Sequence, residues 1–272
     1  GWCDSYKLGL DSWWSGGDIE FDYSQIREAG TPLKIKGGKA SGPGPLKDLM
    51  NFARKRILER QGKTLSSVDL HDINCYAHRI VRMGGVRRAS GISLSDLDDR
   101  KMRDCKQGEF WTHNEQRNQA NNSAVYDEKP DPITWMEEWL ALAKSGSGER
   151  GIFNRGALKA QFPPRRKTEG VLFGTNPCGE IILRHKQFCN LSIAVIRPED
   201  TQADIVEKTV WATIWGTLQS TMTDFNYIGK EWKDNSEEER LLGVDLLGFL
   251  DHPLFQDSET AAPLLRSLQN VV

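Results

Sequence analysis

Residues 170–196 read GVLFGTNPCGEIILRHKQFCNLSIAVI, and the interpretation of the whole chain depends on this stretch. It contains the short apolar runs GVLFGTN, EIILR and NLSIAVI, which are separated by turn-forming residues. Runs of this length and composition predict buried strands or strand edges. The segment Asn176-Pro177-Cys178-Gly179-Glu180, between the first two runs, therefore predicts a tight loop.

The tight loop places a cysteine between two residues that favour turns. Because Pro177 and Gly179 flank Cys178, such a loop is able to push the thiol into a cavity. If the loop is locally extended, Asn176, Cys178 and Glu180 point to the same side. An amide, a thiol and a carboxylate on one face suit a nucleophilic or radical site. The alternative is an ordinary turn with a buried cysteine, and the spacing alone leaves both open.

The rest of the chain alternates helical and strand-like segments. Helices are predicted over residues 45–61, from a Ser66/Asp69 capping box to about residue 83, and from Asp131-Pro132 onward. A strand is predicted over residues 121–127. Strands that alternate with helices indicate an α/β architecture, and the long connections suit parallel strands.

Two further local expectations concern a cap and a helix face. Ser95 is expected to cap a short helix. A long helix is predicted over about residues 201–224. Its apolar face is expected to comprise Ile205, Val206, Val210, Trp211, Ile214, Trp215 and Leu218.

The composition is that of an ordinary globular protein. Of 272 residues, 38% are hydrophobic and 27% are charged, and the net charge is -2. This balance gives no general attraction to nucleic acid or to a membrane surface. No apolar run reaches the roughly 18–20 residues of a membrane span, and the first residues lack a signal-peptide pattern. The odd cysteine count does not suggest a secreted disulfide framework. We therefore expect a cytoplasmic protein that binds neither nucleic acid nor membrane.

Two glycine-rich segments are singled out, and the second is a candidate phosphate-binding loop, because glycine lets the backbone approach a ligand and arginine suits phosphate. The alternatives are a plain linker for the first segment, and a helix end followed by a solvated strand for the second. The residues concerned are Lys36, Gly37 and Gly38 in the first segment, and Gly84, Gly85, Val86, Arg87 and Arg88 in the second.

Other polar clusters are interpreted as structural. His71, Cys75 and His78 share one helix face, but three ligands on one helix rarely reach one ion without a further partner. We therefore expect no metal site. The basic runs at residues 54–56 and 165–167 are interpreted as solvated faces, since no aromatic residues are interleaved with them.

Taken together, the motifs resemble a known enzyme family. Asn-Pro-Cys-Gly-Glu-Ile at 176–181, followed by Cys-Asn-Leu-Ser at 189–192, resembles the finger-loop signature of ribonucleotide reductases. The eleven-residue interval between the two cysteines resembles the class II, adenosylcobalamin-dependent branch. The two glycine-rich segments resemble its effector and specificity loops. Further similar segments, in the family's order, are ANNSAVY (120–126), SGERGIFNR (147–155) and ERLLGVDLLGFLDHP (239–253).

The resemblance implies a role for each residue of the loop. Cys178 would carry the thiyl radical that abstracts the 3′ hydrogen of the ribose. Glu180 would act as general base on the 3′ hydroxyl, and Asn176 would bind the ribose hydroxyls. Cys189 would be one of two thiols that reduce the 2′ position and end as a disulfide. The candidate substrate-binding residues in the ANNSAVY segment are Asn122 and Ser123.

The fold implied by the resemblance is a ten-stranded α/β barrel of the ribonucleotide reductase and glycyl-radical type, only partly covered by this chain. Residues 1–272 would form a single catalytic domain, with the effector-loop region at about 30–95 and the finger-loop region at about 170–196. The implied activity is reduction of ribonucleoside di- or triphosphates to 2′-deoxyribonucleotides. Adenosylcobalamin would be the radical source, a dNTP or ATP the effector, and a thioredoxin- or glutaredoxin-type protein the reductant.

The sequence also departs from the family pattern. An upstream reducing cysteine, a later Pro-Ser-Gly-Thr segment and a C-terminal cysteine pair are not found, and Asp245-Leu246-Leu247 replaces a small polar pattern. We therefore interpret the chain as a fragment or as one piece of a split enzyme. The alternatives are a catalytically incomplete nucleotide-binding module and a class I-type subunit with a separate radical-generating protein. The choices between di- and triphosphate substrate, between monomer and homodimer, and among reductants stay open.

Overall fold

The computed structural model describes residues 1–34, 38–81 and 89–272. They form two units that each combine helices and strands, so the predicted α/β class is confirmed. Unit 1 comprises Gly1–Gln161 and Asn176–Gly179, and unit 2 comprises Phe162–Thr175 and Glu180–Val272. That the whole chain belongs to one barrel domain stays a prediction.

Unit 1 begins with helices that share a core. These are α1 (Trp2–Trp14), α2 (Gly44–Leu58) and α3 (Ser67–Ile80). The predicted capping box starts α3: the Ser66 hydroxyl accepts from the Asp69 amide at 3.2 Å, and the Asp69 carboxylate accepts from the Ser66 amide at 3.0 Å. The buried side chains between the helices are Trp13, Leu46, Met50, Ala53, Ile57 and Ile73.

A parallel sheet follows in unit 1, with strand order β1-β2-β3. The strands are β1 (Gly91–Ser95), β2 (Ala120–Val125) and β3 (Gly151–Phe153). The crossovers contain α4 (Arg100–Asp104) and α5 (Pro132–Ser145). Parallel neighbours need crossover connections of this kind, so the predicted parallel pairing is confirmed in this unit.

The expected capping role of Ser95 is wrong. Ser95 is the last residue of β1, and Asp99 caps α4 by accepting from the Met102 amide at 2.9 Å. Asp99 directly precedes the helix, where a side-chain oxygen reaches the third helical amide. The Ser95 hydroxyl instead accepts from the Arg150 guanidinium at 2.9 Å.

Unit 2 contains the three apolar runs, and each forms a strand as predicted. The first two, β4 (Phe173–Thr175) and β5 (Ile182–Arg184), pair antiparallel. This differs from the expected parallel pairing, because a connection of six residues is too short for a crossover. The third run forms β6 (Asn190–Val195).

The larger part of unit 2 is built on a parallel pair. β6 pairs with β7 (Leu242–Leu247), and the connection contains α6 (Gln202–Ser220) and α7 (Lys230–Glu239). The last helix is α8 (Ser258–Val271). The buried core comprises Ala194, Ile196, Ile205, Ala212, Phe255, Ala261, Leu264 and Leu268.

Short 3-10 helices complete both units. In unit 1, Arg117 lies in one of them and makes paired hydrogen bonds of 2.7 and 2.8 Å to the buried Asp72 carboxylate of α3. This pair fixes the segment before β2 against the helices. Within the part of the chain that the structure describes, the 3-10 segments are Phe110–Thr112, Glu115–Gln119, Arg155–Ala160, Phe249–Asp251 and Pro253–Phe255.

The expected apolar face of α6 is buried only at its start. Ile205 is buried as expected, but Trp211 and Trp215 are 55% and 64% exposed. The helix packs on the sheet through small residues, because a Cβ at Gly216 would lie 2.1 Å from the Leu242 side chain.

Among the residues that the structure describes, no helix has both the length and the apolar character that a membrane crossing requires.

Candidate active site

The loop that carries Cys178 is a closed turn. The Gly179 amide donates to the Asn176 carbonyl at 3.0 Å, and Gly179 has a φ of +89°, which favours glycine. Pro177 occupies the second position, where its fixed φ suits a turn. Cys178 is exposed. The expectation that Asn176, Cys178 and Glu180 point to the same side depended on an extended backbone, and the backbone here is a turn instead. The predicted roles of these residues therefore do not follow from the spacing.

The sequence pattern did not single out Asn121, which contacts this turn. Its side-chain amide donates to the Pro177 carbonyl at 2.7 Å. The pattern instead indicated Asn122 and Ser123. Asn122 is 2% exposed and donates to the Cys105 sulfur at 3.2 Å, whereas Ser123 is half-buried beside Gly151. Their substrate-binding role stays a prediction.

The second predicted thiol lies in unit 2, directly before β6. Cys189 is half-buried, and burial raises the pKa of its thiol above the usual range. The negative charge of Glu180 raises the same pKa further. Both causes disfavour the thiolate, so Cys189 is held in the protonated form that carries a hydrogen.

Removing the Glu180 charge is expected to make Cys189 more reactive. In a Glu180→Gln chain the electrostatic cause disappears, so the pKa of Cys189 falls but stays above the usual range because burial persists. Iodoacetamide alkylation of Cys189, followed by peptide mass spectrometry across pH 7–10, measures the shift. Glu199→Gln, at an exposed carboxylate of the same unit, is the control. An unchanged or slower alkylation profile would contradict the electrostatic coupling.

The predicted loops fall largely outside the described residues. Gly38 lies inside them; it has a φ of +78°, and its carbonyl accepts from the Leu33 amide at 2.9 Å. The residues outside the described ranges, whose assignment stays a prediction, are Lys36, Gly37, Gly84, Gly85, Val86, Arg87 and Arg88.

The described segments beside both predicted loops line one cavity in unit 1. Its volume is about 620 Å³, and it is lined by Lys39 after the first loop and by Val81 before the second. Phe21, Tyr23 and Arg27 also line it. Aromatic rings can stack on a base, and cationic side chains suit phosphate, so these residues are compatible with a bound nucleotide.

The histidine and cysteine face of α3 is tied into the core. His71 Nδ1 lies 2.7 Å from the Ser93 hydroxyl, and its Nε2 lies 3.5 Å from the Cys75 sulfur. Burial lowers the pKa of His71 to about 4 and raises that of Cys75 to about 12. Within residues 1–34, 38–81 and 89–272, no three metal-binding side chains are grouped as an ion would require.

No protein-family model matches this chain. A Euglena gracilis protein named adenosylcobalamin-dependent ribonucleoside-triphosphate reductase is 27% identical over 254 residues, which cover 91% of the chain. A Lacticaseibacillus paracasei protein of the same name is 33% identical over 177 residues, or 64% of the chain. A Dictyostelium discoideum protein, named probable adenosylcobalamin-dependent ribonucleoside-triphosphate reductase, is 25% identical over 257 residues.

The chain spans about a third or less of the length of these relatives. It covers 34% of the Euglena protein, 23% of the Lacticaseibacillus protein and 32% of the Dictyostelium protein. The resemblance to adenosylcobalamin-dependent ribonucleotide reductases, predicted from the motifs, is therefore confirmed over most of this chain.

Proposed function

We propose that this chain, a homologue of adenosylcobalamin-dependent ribonucleoside-triphosphate reductases, takes part in reducing ribonucleoside triphosphates to 2′-deoxyribonucleotides. One observation carries the proposal: Cys178 is exposed on a closed Asn-Pro-Cys-Gly turn, in a chain similar to the Euglena reductase over 91% of its length. An exposed thiol on a turn of fixed shape is open to a substrate.

In this proposal Cys178 exchanges hydrogen with the ribose. The Cys178 thiyl radical takes the 3′ hydrogen, so that an S–H bond forms as the C3′–H bond breaks. Glu180 accepts the proton of the 3′ hydroxyl and, by moving a proton to the 2′ hydroxyl, assists the loss of that hydroxyl as water. Asn176 orients the ribose through its hydroxyls. Cys189 supplies one of the two thiol hydrogens that reduce the 2′ position, and its raised pKa supports this role.

Adenosylcobalamin is the proposed radical source. When bound, it supplies the one-electron chemistry that protein side chains do not start by themselves. The described residues fit the receiving end of that chemistry, because the Cys178 thiol is exposed and the Asn176–Gly179 turn sets its backbone. Cys178 is the residue that would receive the radical.

The barrel and the partners belong to the same proposal. The parallel sheets β1-β2-β3 and β6-β7 support a ten-stranded barrel to which this chain contributes strands. A thioredoxin- or glutaredoxin-type protein would reduce the disulfide, and the whole protein would act as a monomer or a homodimer in the cytoplasm.

A cavity in unit 1 supports nucleotide binding, whether or not the chain takes part in catalysis. The 620 Å³ cavity has the size of a small-molecule site and is lined by segments beside both predicted effector loops. We propose that it takes a dNTP or ATP effector. A catalytically incomplete nucleotide-binding module would use this cavity in the same way, so the cavity alone does not distinguish the two functions.

Reconstitution tests the activity directly. We expect the full-length protein that contains this chain to convert ribonucleoside triphosphates to deoxynucleotides when adenosylcobalamin and a dithiol are supplied, measured by chromatography of the products. Omission of adenosylcobalamin is the control. Turnover without adenosylcobalamin but with a metal-containing radical-generating protein would instead support the class I alternative. Nucleotide binding without any turnover would support the binding-module alternative.

A further inference from the structure

We infer that Asn121 is a positioning residue for Cys178. Its side-chain amide donates to the carbonyl of Pro177, which directly precedes Cys178, at 2.7 Å. Asn121 itself is exposed rather than held in the core. The bond therefore connects β2 to the turn that presents the thiol. The inference rests on the proposed role of Cys178 as the reacting thiol, and its structural part is tested without turnover.

An external contact bears on the position of the turn. The hydrogen bond between the Gly179 amide and the Asn176 carbonyl fixes the internal shape of the turn, as does the ring of Pro177. Neither of these constraints determines where the turn lies against the sheet of unit 1. The Pro177 carbonyl takes no part in the closing bond and accepts from Asn121, which supplies a positional constraint.

Asn121 is well placed for this task because its backbone is held on both sides. The Lys106 ammonium donates to the Ala120 carbonyl and, at 2.8 Å, to the Glu149 carboxylate. The same carboxylate accepts from the Asn122 amide at 2.9 Å. Lys106 is 3% exposed, so its ammonium is shielded from water, and hydrogen bonds are stronger in such an interior than in water.

The backbone groups at the start of β2 can bind this ion pair because β3 is short and does not pair with them. β3 pairs with β2 only from Ser123 onward, so the Ala120 carbonyl and the Asn122 amide precede the first paired residue. Lys106 and Glu149 satisfy these groups in place of a strand. Asn122 points to the opposite face of the strand and is bound to the Cys105 sulfur, so Asn121 is the asparagine that reaches the turn.

Pulsed electron paramagnetic resonance on the chain tests the inference. Nitroxide labels are placed on the exposed Cys3 and Cys178 in a Cys189→Ser background, while Cys75 and Cys105 are buried and are checked for absence of label by mass spectrometry. The distance distribution reports how well the turn is held within unit 1. We expect Asn121→Ala and Asn121→Asp to widen it about twofold, the effect of losing one ordinary hydrogen bond.

The two Asn121 variants distinguish the loss of the hydrogen-bond donor from a change in the shape of the side chain. Asn121→Asp keeps the size of the side chain, but its carboxylate cannot donate to the Pro177 carbonyl. Asn235→Ala is the matched control, because Asn235 also donates its side-chain amide to a loop carbonyl, that of His185 at 2.8 Å, in unit 2. We expect the control to keep the parent width, and all variants to keep the parent melting temperature.

If either Asn121 variant keeps a distance distribution as narrow as that of the parent, the inference is overturned. The same holds if Asn235→Ala widens the distribution as much as the Asn121 variants do. The outcome is separable from that of the proposed function. A full-length protein without reductase activity would reject the role of Cys178 in turnover, whereas the distance distributions would still decide whether Asn121 holds the turn.

Discussion

Replacing Cys178 with serine is expected to abolish deoxynucleotide formation by the full-length protein and to lower kcat by about a thousandfold or more, which corresponds to at least ~4 kcal/mol in the barrier. A cysteine S–H bond is close enough in strength to a ribose C–H bond for reversible exchange of hydrogen, whereas the serine O–H bond is much stronger. Cys178 is exposed, so the substitution leaves the packing unchanged. Product formation with adenosylcobalamin, nucleotide and dithiol is the measurement.

Nucleotide binding distinguishes a chemical defect from a folding defect. We expect Cys178→Ser to bind effector and substrate nucleotides as the parent does, since the thiol is replaced by a hydroxyl of similar size. Cys3→Ser, at another exposed cysteine, should keep full turnover. Deoxynucleotide formation by Cys178→Ser at the parent rate would show that this thiol does not carry the reaction.

The features that local sequence encodes could be predicted. The Ser66 capping box and the helix starts predicted at Asp131-Pro132 and at about residue 201 are each present, because a helix start depends on residues within about three positions of it. The turn around Cys178 likewise follows from Pro177 and Gly179. Where local chemistry alone determines the conformation, the sequence was sufficient.

The packing of α6 could not be predicted in the same way. The expected apolar face includes Trp211 and Trp215, and hydrophobicity alone would favour burial of that face. The sheet instead receives the face with Thr209, Ala212 and Gly216, because small residues permit close approach of helix and strands. Which of two compatible faces is buried depends on the shape of the partner, and periodicity does not contain that information.

The contacts that hold the candidate site in place could not be predicted from the sequence, for a related reason. Lys106 and Glu149 are ordinary surface types by composition, yet they meet across 43 positions to hold the start of β2. Asn121 and its neighbour Asn122 are chemically identical, and the alternation of a strand separates them without saying which one meets the turn. The tertiary arrangement assigns one to Pro177 and the other to Cys105.

A second large effect is expected at a buried ion pair beside this sheet. The Arg150 side chain, at the start of β3, is 1% exposed and makes bonds of 3.0 and 2.9 Å to Glu138 of α5. It also donates to the Ser95 hydroxyl at the end of β1. Glu138→Ala would leave the guanidinium buried without its counter-charge, so we expect a loss of about 3–5 kcal/mol in the free energy of unfolding. Urea unfolding monitored by circular dichroism measures it.

The neighbouring residue supplies a matched control. Glu137 is 55% exposed and lies 4.0 Å from Arg103, so Glu137→Ala should cost less than about 1 kcal/mol. A Glu138→Ala loss as small as that of Glu137→Ala would mean that the Arg150 pair is not a buried anchor of unit 1.

A double variant separates the attraction within the pair from the penalty of an unpaired charge. If the loss in Glu138→Ala arises from leaving Arg150 uncompensated, then Glu138→Leu combined with Arg150→Met should be more stable than Glu138→Ala alone, because no charge remains buried. If the double variant is the less stable of the two, the hydrogen bonds of Arg150 to Ser95 and to the carbonyls of Asp96 and Leu97 are the larger contribution, because they hold the start of β3 to the end of β1. In that case Arg150 stabilises unit 1 mainly as a donor to β1 rather than as the partner of Glu138.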